Sequence, residues 1–130
     1  MLGTVRLRIL IVDDNEHFLE IASASLEREG LDVVGTARTR TEAIQRAEET
    51  RPDLVLADIG LGSESGFDVA RELVGIDGSH TRVLLISTRL EEDFSELIET
   101  SPAIGFLPKS ELSAETIHTL LRRNDEAEGA

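Results

Sequence analysis

Short, uninterrupted apolar runs recur along this chain, and between them the apolar positions switch to helical spacing. The runs predict strands at about 7–12, 31–36, 54–57, 83–87 and 104–107, because strands buried on both faces of a parallel sheet lose the apolar–polar alternation of one-sided strands. The intervening segments read as helices. In the first, Phe18, Ile21, Ala22, Ser25 and Leu26 form one face, and Gly30 supplies a left-handed stop. The second opens on Thr39-Arg40-Thr41-Glu42, the spacing of a capping box, and would bury Ala43, Ile44 and Ala47. A third begins near Gly66 and carries Phe67, Val69, Ala70, Leu73 and Val74 inward. A short acidic fourth turns in Phe94, Leu97 and Ile98. The fifth carries Leu112, Ile117, Leu120 and Leu121 and ends near Arg122-Arg123, which suit the negative end of its dipole. Strand alternating with helix predicts an α/β fold, a doubly wound five-stranded parallel sheet with helices on both faces. The polar stretch 124–130 is expected to be a disordered tail.

Composition narrows the chemistry. The 130 residues suit one domain, and with four Phe, no Trp and no Tyr its core must be mostly aliphatic. With no cysteine, thiolate metal sites, disulfides and Cys nucleophiles are excluded. No apolar stretch approaches the roughly 18 residues of a membrane span. Arg6 and Arg8 lead into a strand, not into the apolar core of a secretion signal, so a cytoplasmic location without membrane contact is expected. The formal net charge of −13 argues against direct nucleic-acid binding and leaves either a solvated surface or a partner with a basic face.

The strand candidates end on chemistry-bearing residues. Ile9 to Val12 stops at Asp13-Asp14, Leu54 to Ala57 at Asp58, Val83 to Ile86 at Ser87-Thr88, and Ile104 to Leu107 at Pro108 and Lys109. In an open α/β sheet, ligands bind beyond the carboxyl ends of the strands, where these residues would gather. Alone, each has a duller explanation: an acidic pair caps a helix, and a lone lysine is solvated. Together, three carboxylates repel one another, a repulsion that Mg²⁺ relieves through oxygen ligation. A carboxylate nucleophile, a hard cation, a hydroxyl and an ammonium are the parts required for an aspartyl-phosphate.

The chain resembles a response-regulator receiver domain, the phosphoacceptor half of two-component signalling, over residues 7–123. The resemblance is carried by Ile9 to Asp14, Pro52 to Asp58, Gly66-Phe67-Asp68, Val83 to Ser87 and Gly105 to Lys109, in matching order and spacing. It implies the flavodoxin-like strand order 2-1-3-4-5. It also implies Asp58 as phosphoacceptor, with Mg²⁺ held by Asp14 directly, Asp13 through a bound water, Asp58 and the Gly60 carbonyl. Lys109 and Ser87 would bind the phosphoryl group, Ser87 and Phe106 would form the switch, and Gly60 and Arg89 would flank the water that removes the phosphoryl group. The chain departs from the family where Gly62 stands in place of a frequent Pro, and where Lys109-Ser110 replaces Lys-Pro.

The implied protein is not an enzyme beyond assisting its own phosphorylation and dephosphorylation. Its donor would be a sensor histidine kinase or a histidine phosphotransfer protein. With no second domain after the fifth helix, its output is expected as a changed affinity for a protein that docks on helix four, strand five and helix five. The alternative is a receiver-like interaction or dimerisation module that works without phosphorylation; a small phosphatase or flavin protein is a third possibility. Asn15-Glu16-His17 does not suit a flavin phosphate loop, and His17, His80 and His118 read as ordinary surface residues.

Overall fold

The computed structural model describes residues 6–76, 81–88 and 95–129. Five parallel strands form one sheet: β1 (Arg8–Val12), β2 (Asp32–Ala37), β3 (Leu54–Asp58), β4 (Arg82–Ser87) and β5 (Gly105–Pro108). Their spatial order is β2-β1-β3-β4-β5, which bears out the expected 2-1-3-4-5 arrangement. The helices are α1 (Glu16–Arg28), α2 (Arg40–Thr50), α3 (Gly66–Val74), α4 (Ser95–Thr100) and α5 (Ala114–Gly129).

Two-residue alternation sorts each strand's side chains between two apolar layers. Ile9 and Ile11, Leu54 and Leu56, Leu84 and Ile86, and Leu107 point to one face, where Leu19, Ala22 and Leu26 of α1 and Ile117 and Leu121 of α5 cover them. Leu10 and Val12, Val55 and Ala57, Val83 and Leu85, and Phe106 point to the other, beneath Ala43 and Ala47 of α2 and Phe67, Val69, Ala70 and Leu73 of α3. Because both faces are covered, the strands read as continuous apolar runs.

Local signals place the helix ends. Asn15 Oδ1 accepts the Phe18 N–H at 3.2 Å and starts α1, and Gly30, at φ +97°, follows its end. Thr39 Oγ1 accepts the Glu42 N–H at 3.1 Å. Glu42 returns the bond to the amide of Arg38, at 2.8 Å, so this capping box closes one residue outside the N-cap.

Several inward assignments change. Ile21 is 55% exposed and Leu19 is buried in its place, because the covered stripe of α1 is rotated toward Leu19, Ala22 and Leu26. Val74 at the end of α3 and Leu97 on α4 are exposed, since no described element packs over either. Leu112 precedes α5, at the end of a 3₁₀ turn over Lys109–Glu111. Phe94, like His80 and Arg89, lies outside the described residues. The expected disordered tail is helical as far as Gly129; Arg82 of β4 donates to Asp125 Oδ1 at 2.7 Å and ties that last stretch to the sheet. Two further short strands, Gly60–Leu61 and Glu64–Ser65, pair antiparallel in the loop after β3 and were not anticipated. Among the described residues, no helix is long and apolar enough to cross a membrane.

Candidate functional site

Register brings the acidic residues together. Val12 pairs with Ala57 in the parallel ladder between β1 and β3, so Asp13 and Asp58 leave their strands side by side. By the same alternation Asp13 follows Ile9 and Ile11, Asp58 follows Leu54 and Leu56, and Lys109 follows Leu107, all toward the α1 and α5 layer. Ser87 follows Val83 and Leu85 toward the opposite layer, the one that also buries Phe106. The strand ends therefore separate a charged group on one face from a hydroxyl and a ring on the other.

Carboxylate oxygens of Asp13, Asp14 and Asp58 lie within 4.8 Å of one another. Asp13 has no exposed surface, Asp58 is 7% exposed and Asp14 is open to solvent. Lys109 Nζ stands 2.5 Å from Asp13 Oδ2 and 3.2 Å from Asp58 Oδ2. Backbone amides complete the set: Asn15 N–H donates to Asp13 Oδ1 at 2.8 Å, and Gly60 N–H to Asp58 Oδ1 at 3.2 Å. Phe18, assigned from sequence only to the apolar face of the first helix, covers the ammonium with its ring centroid 4.3 Å from Nζ. No spacing in the sequence links Phe18 to Lys109; the packing of α1 on the sheet creates that contact.

The electrostatics are unbalanced. Burial raises the pKa of Asp58 and the Asp13 charge raises it further, while Lys109 and the Gly60 amide oppose the change without reversing it. Burial alone would lower the Lys109 pKa, but Asp13 and Asp58 outweigh it, so the ammonium is held charged. Among the described residues, one ammonium thus contacts two acids of a cluster of three. Asp13 Oδ2 is fully buried, and among the described residues the Lys109 ammonium is the one positively charged group that meets it. A buried acceptor left this way beside two further carboxylates fits a hard divalent cation bound through oxygen.

Gly66 is the other close approach. Its N–H donates to the Ile59 carbonyl at 3.2 Å, and a Cβ added there would stand 2.5 Å from the Asp58 carbonyl oxygen. Ser65 Oγ caps the Phe67 N–H at 3.0 Å. The start of α3 is therefore pressed directly against the backbone of Asp58. Ser87 is buried and pairs in register with Pro108, the residue before Lys109. Gly60 is exposed, with open space where a side chain would stand. His17 and His118 are exposed, as expected.

A profile of the response regulator receiver domain matches residues 9–122. The chain belongs to the response regulator receiver domain family. It is 34% identical over 131 residues to the DNA-binding response regulator MtrA of Mycobacterium tuberculosis, covering 96% of this chain and 55% of MtrA. It is 35% identical over 113 residues to the transcriptional regulatory protein LnrK of Bacillus subtilis, covering 85% of this chain and 50% of LnrK. The receiver-domain chain thus spans about half the length of these curated relatives. Among solved structures it is similar to a LuxR-family two-component response regulator from Aurantimonas sp. SI85-9A1, with TM-score 0.80, 28% identity, and coverage of 94% of this chain and 87% of that one. It is also similar to the chemotaxis protein CheY4 of Vibrio cholerae, with TM-score 0.76, 25% identity, and coverage of 92% and 98%.

Proposed function

We propose that this receiver domain accepts a phosphoryl group on Asp58 from a sensor histidine kinase or histidine phosphotransfer protein, and that the change alters its affinity for a partner protein. The observation that carries the reading is the contact of Lys109 with both Asp13 and Asp58, inside a cluster whose third acid, Asp14, faces solvent. The unit responsible would run from residue 7 to 123, in the cytoplasm, without direct nucleic-acid or membrane contact and without turnover of a separate substrate.

Asp58 Oδ attacks the phosphorus of a phosphohistidine; the new P–O bond replaces the P–N bond, and the leaving imidazole takes up a proton. Asp58 must be ionised to attack, and burial together with the Asp13 charge raises its pKa against that. Asp13, Asp14, Asp58 and the Gly60 carbonyl would hold Mg²⁺, which supplies charge neutralisation for the carboxylates and the transferred oxygens. Lys109 follows a phosphoryl oxygen as a point charge, and Ser87 offers a hydroxyl. Phosphorylation replaces one negative charge by roughly −2 with added acceptor oxygens. Lys109 is then drawn from its contact with Asp13, and β5, which carries Phe106, is biased between two arrangements. Output through α4, β5 and α5 follows from that connection. Arg89 would influence the lifetime of the phosphoryl group, as the family resemblance implies.

The test is incubation with acetyl phosphate and Mg²⁺, read by mass spectrometry of the intact protein. Wild type should gain one phosphoryl group, and both Asp58→Asn and omission of Mg²⁺ should abolish the gain. An unmodified wild type, or equal modification of Asp58→Asn, would refute the assignment.

A further inference from the structure

Arg40 joins three parts of the molecule. From the first turn of α2, its backbone N–H donates to Glu64 Oε1 at 3.1 Å and its Nε to Glu64 Oε2 at 3.2 Å. Its Nη1 donates to Glu72 Oε2 on α3 at 2.8 Å. Glu64 belongs to the loop between Asp58 and α3, so both carboxylate oxygens of a loop residue are gripped from a helix that the chain left well before. A two-point bond of this kind sets direction as well as distance.

The gripped loop has only a short ladder of its own. Its ladder has two rungs, Gly60 opposite Ser65 and Leu61 opposite Glu64. Its turn is made by Gly62 in the left-handed region, at φ +63°. A side chain at Gly60 or Gly62 would meet no described atom within 4 Å, so both residues lie on the open side of the loop. Yet this loop carries the Gly60 N–H that bonds to Asp58 Oδ1. Leu61, buried in the layer beneath α2 and α3, anchors the first half of the loop, and Glu64, held by the amide and Nε of Arg40, anchors the second.

We propose that Arg40 is a positioning residue for the Asp58 site. Through Glu64 it holds the Gly60–Ser65 loop so that the Gly60 amide stays on Asp58 and the loop backbone is set for a divalent cation. The inference rests on the proposed reading of Asp13, Asp14 and Asp58 as a Mg²⁺ site. Glu72 holds the other end of the guanidinium, so α2 and α3 bracket the loop from outside. The Arg40 and Glu64 side chains are 44% and 30% exposed, and pairs so placed contribute little to global stability. Losing the pair therefore loosens the loop locally while leaving the sheet and its two apolar layers in place.

The experiment compares wild type with Arg40→Gln, Glu64→Gln, the double variant and Arg40→Lys. Amide hydrogen exchange at Gly60 and Gly62 in metal-free protein should quicken about threefold to tenfold in each Gln variant. Mg²⁺ titrated against the amide resonances of Asp13 and Asp58 should bind more weakly by a similar factor, with the thermal midpoint nearly unchanged. The double variant should be no worse than either single one, since both remove the same link. Arg40→Lys should recover only part, because an ammonium cannot span Glu64 and Glu72 as the planar guanidinium does. Unchanged exchange and Mg²⁺ affinity in the Gln variants overturn the proposal, as do additive losses in the double variant. Faster exchange at every amide with a matching fall in the midpoint also overturns it, by showing a merely structural role. A wild type that binds no Mg²⁺ removes the underlying reading together with this inference; one that binds while the variants match it removes the inference alone.

Discussion

Replacing Gly66 by alanine tests how the start of α3 supports Asp58. In a helix, alanine is ordinarily better than glycine by roughly 0.5–1 kcal/mol. Here the added Cβ would lie 2.5 Å from the Asp58 carbonyl oxygen, 2.9 Å from its carbonyl carbon and 3.0 Å from the Ala57 carbonyl oxygen. Real Cβ atoms essentially never approach another heavy atom within 3.0 Å, so the first contact is at least 0.5 Å too short. All three atoms are backbone of a central strand that is buried along its whole length, and no rotamer change can relieve them. Forced displacement of this sort costs about 1–3 kcal/mol, which outweighs the gain in helix propensity. The net expectation is a loss of about 1–2 kcal/mol, or roughly 1 M in the urea midpoint. Far-UV circular dichroism is the suitable probe, because the chain has neither Trp nor Tyr. Acceptance of phosphoryl from acetyl phosphate should slow as well, since α3 would push on the residue that carries the nucleophile. Gly35→Ala is the control: its Cβ would meet Leu10 Cδ1 at an ordinary 3.5 Å and should leave stability within about 0.5 kcal/mol. A Gly66→Ala protein as stable as wild type, or a Gly35→Ala protein equally damaged, would show that close approach to Asp58 is not what requires glycine.

Phe18→Leu keeps an apolar side chain but removes the ring over Lys109; it should cost about 0.5–2 kcal/mol in denaturant unfolding, and that cost should shrink in a Lys109→Met background. Raising the Asp58 pKa means the folded state binds its proton more tightly than the unfolded state does, so metal-free protein should lose stability as pH rises from the ordinary carboxyl value of 3.8 through the raised one. Asp58→Asn should flatten that part of the urea-midpoint profile, and Mg²⁺ affinity measured by titration should fall on acidification through the same window. The raised Lys109 pKa has the opposite placement: its contribution is complete below 10.5 and is lost as pH climbs through the folded value, a loss that should be absent from Lys109→Met. Arg51 ends α2 in the left-handed region, at φ 46°, so Arg51→Gly should raise stability by about 0.5–1 kcal/mol in the same urea assay.

The amino-acid sequence by itself determined the alternation of strand and helix, the parallel sheet and the convergence of Asp13, Asp58 and Lys109. Each follows from local rules: runs such as Leu54 to Ala57 are apolar because both faces of their strand are covered, and chemistry gathers where such strands stop. Caps such as Thr39 and Gly30 were legible for the same reason, since a few adjacent residues specify them. Tertiary structure alone decided which stripe of α1 turns inward, so that Ile21 is left in solvent and Leu19 is buried. It alone put the Phe18 ring over Lys109, the Arg40 side chain between Glu64 and Glu72, and the Gly66 backbone against Asp58. These contacts join residues far apart in the chain, and their geometry depends on how helices settle on a twisted sheet. Helical spacing of 3.6 residues leaves that rotation open by tens of degrees, until two layers of side chains lock it.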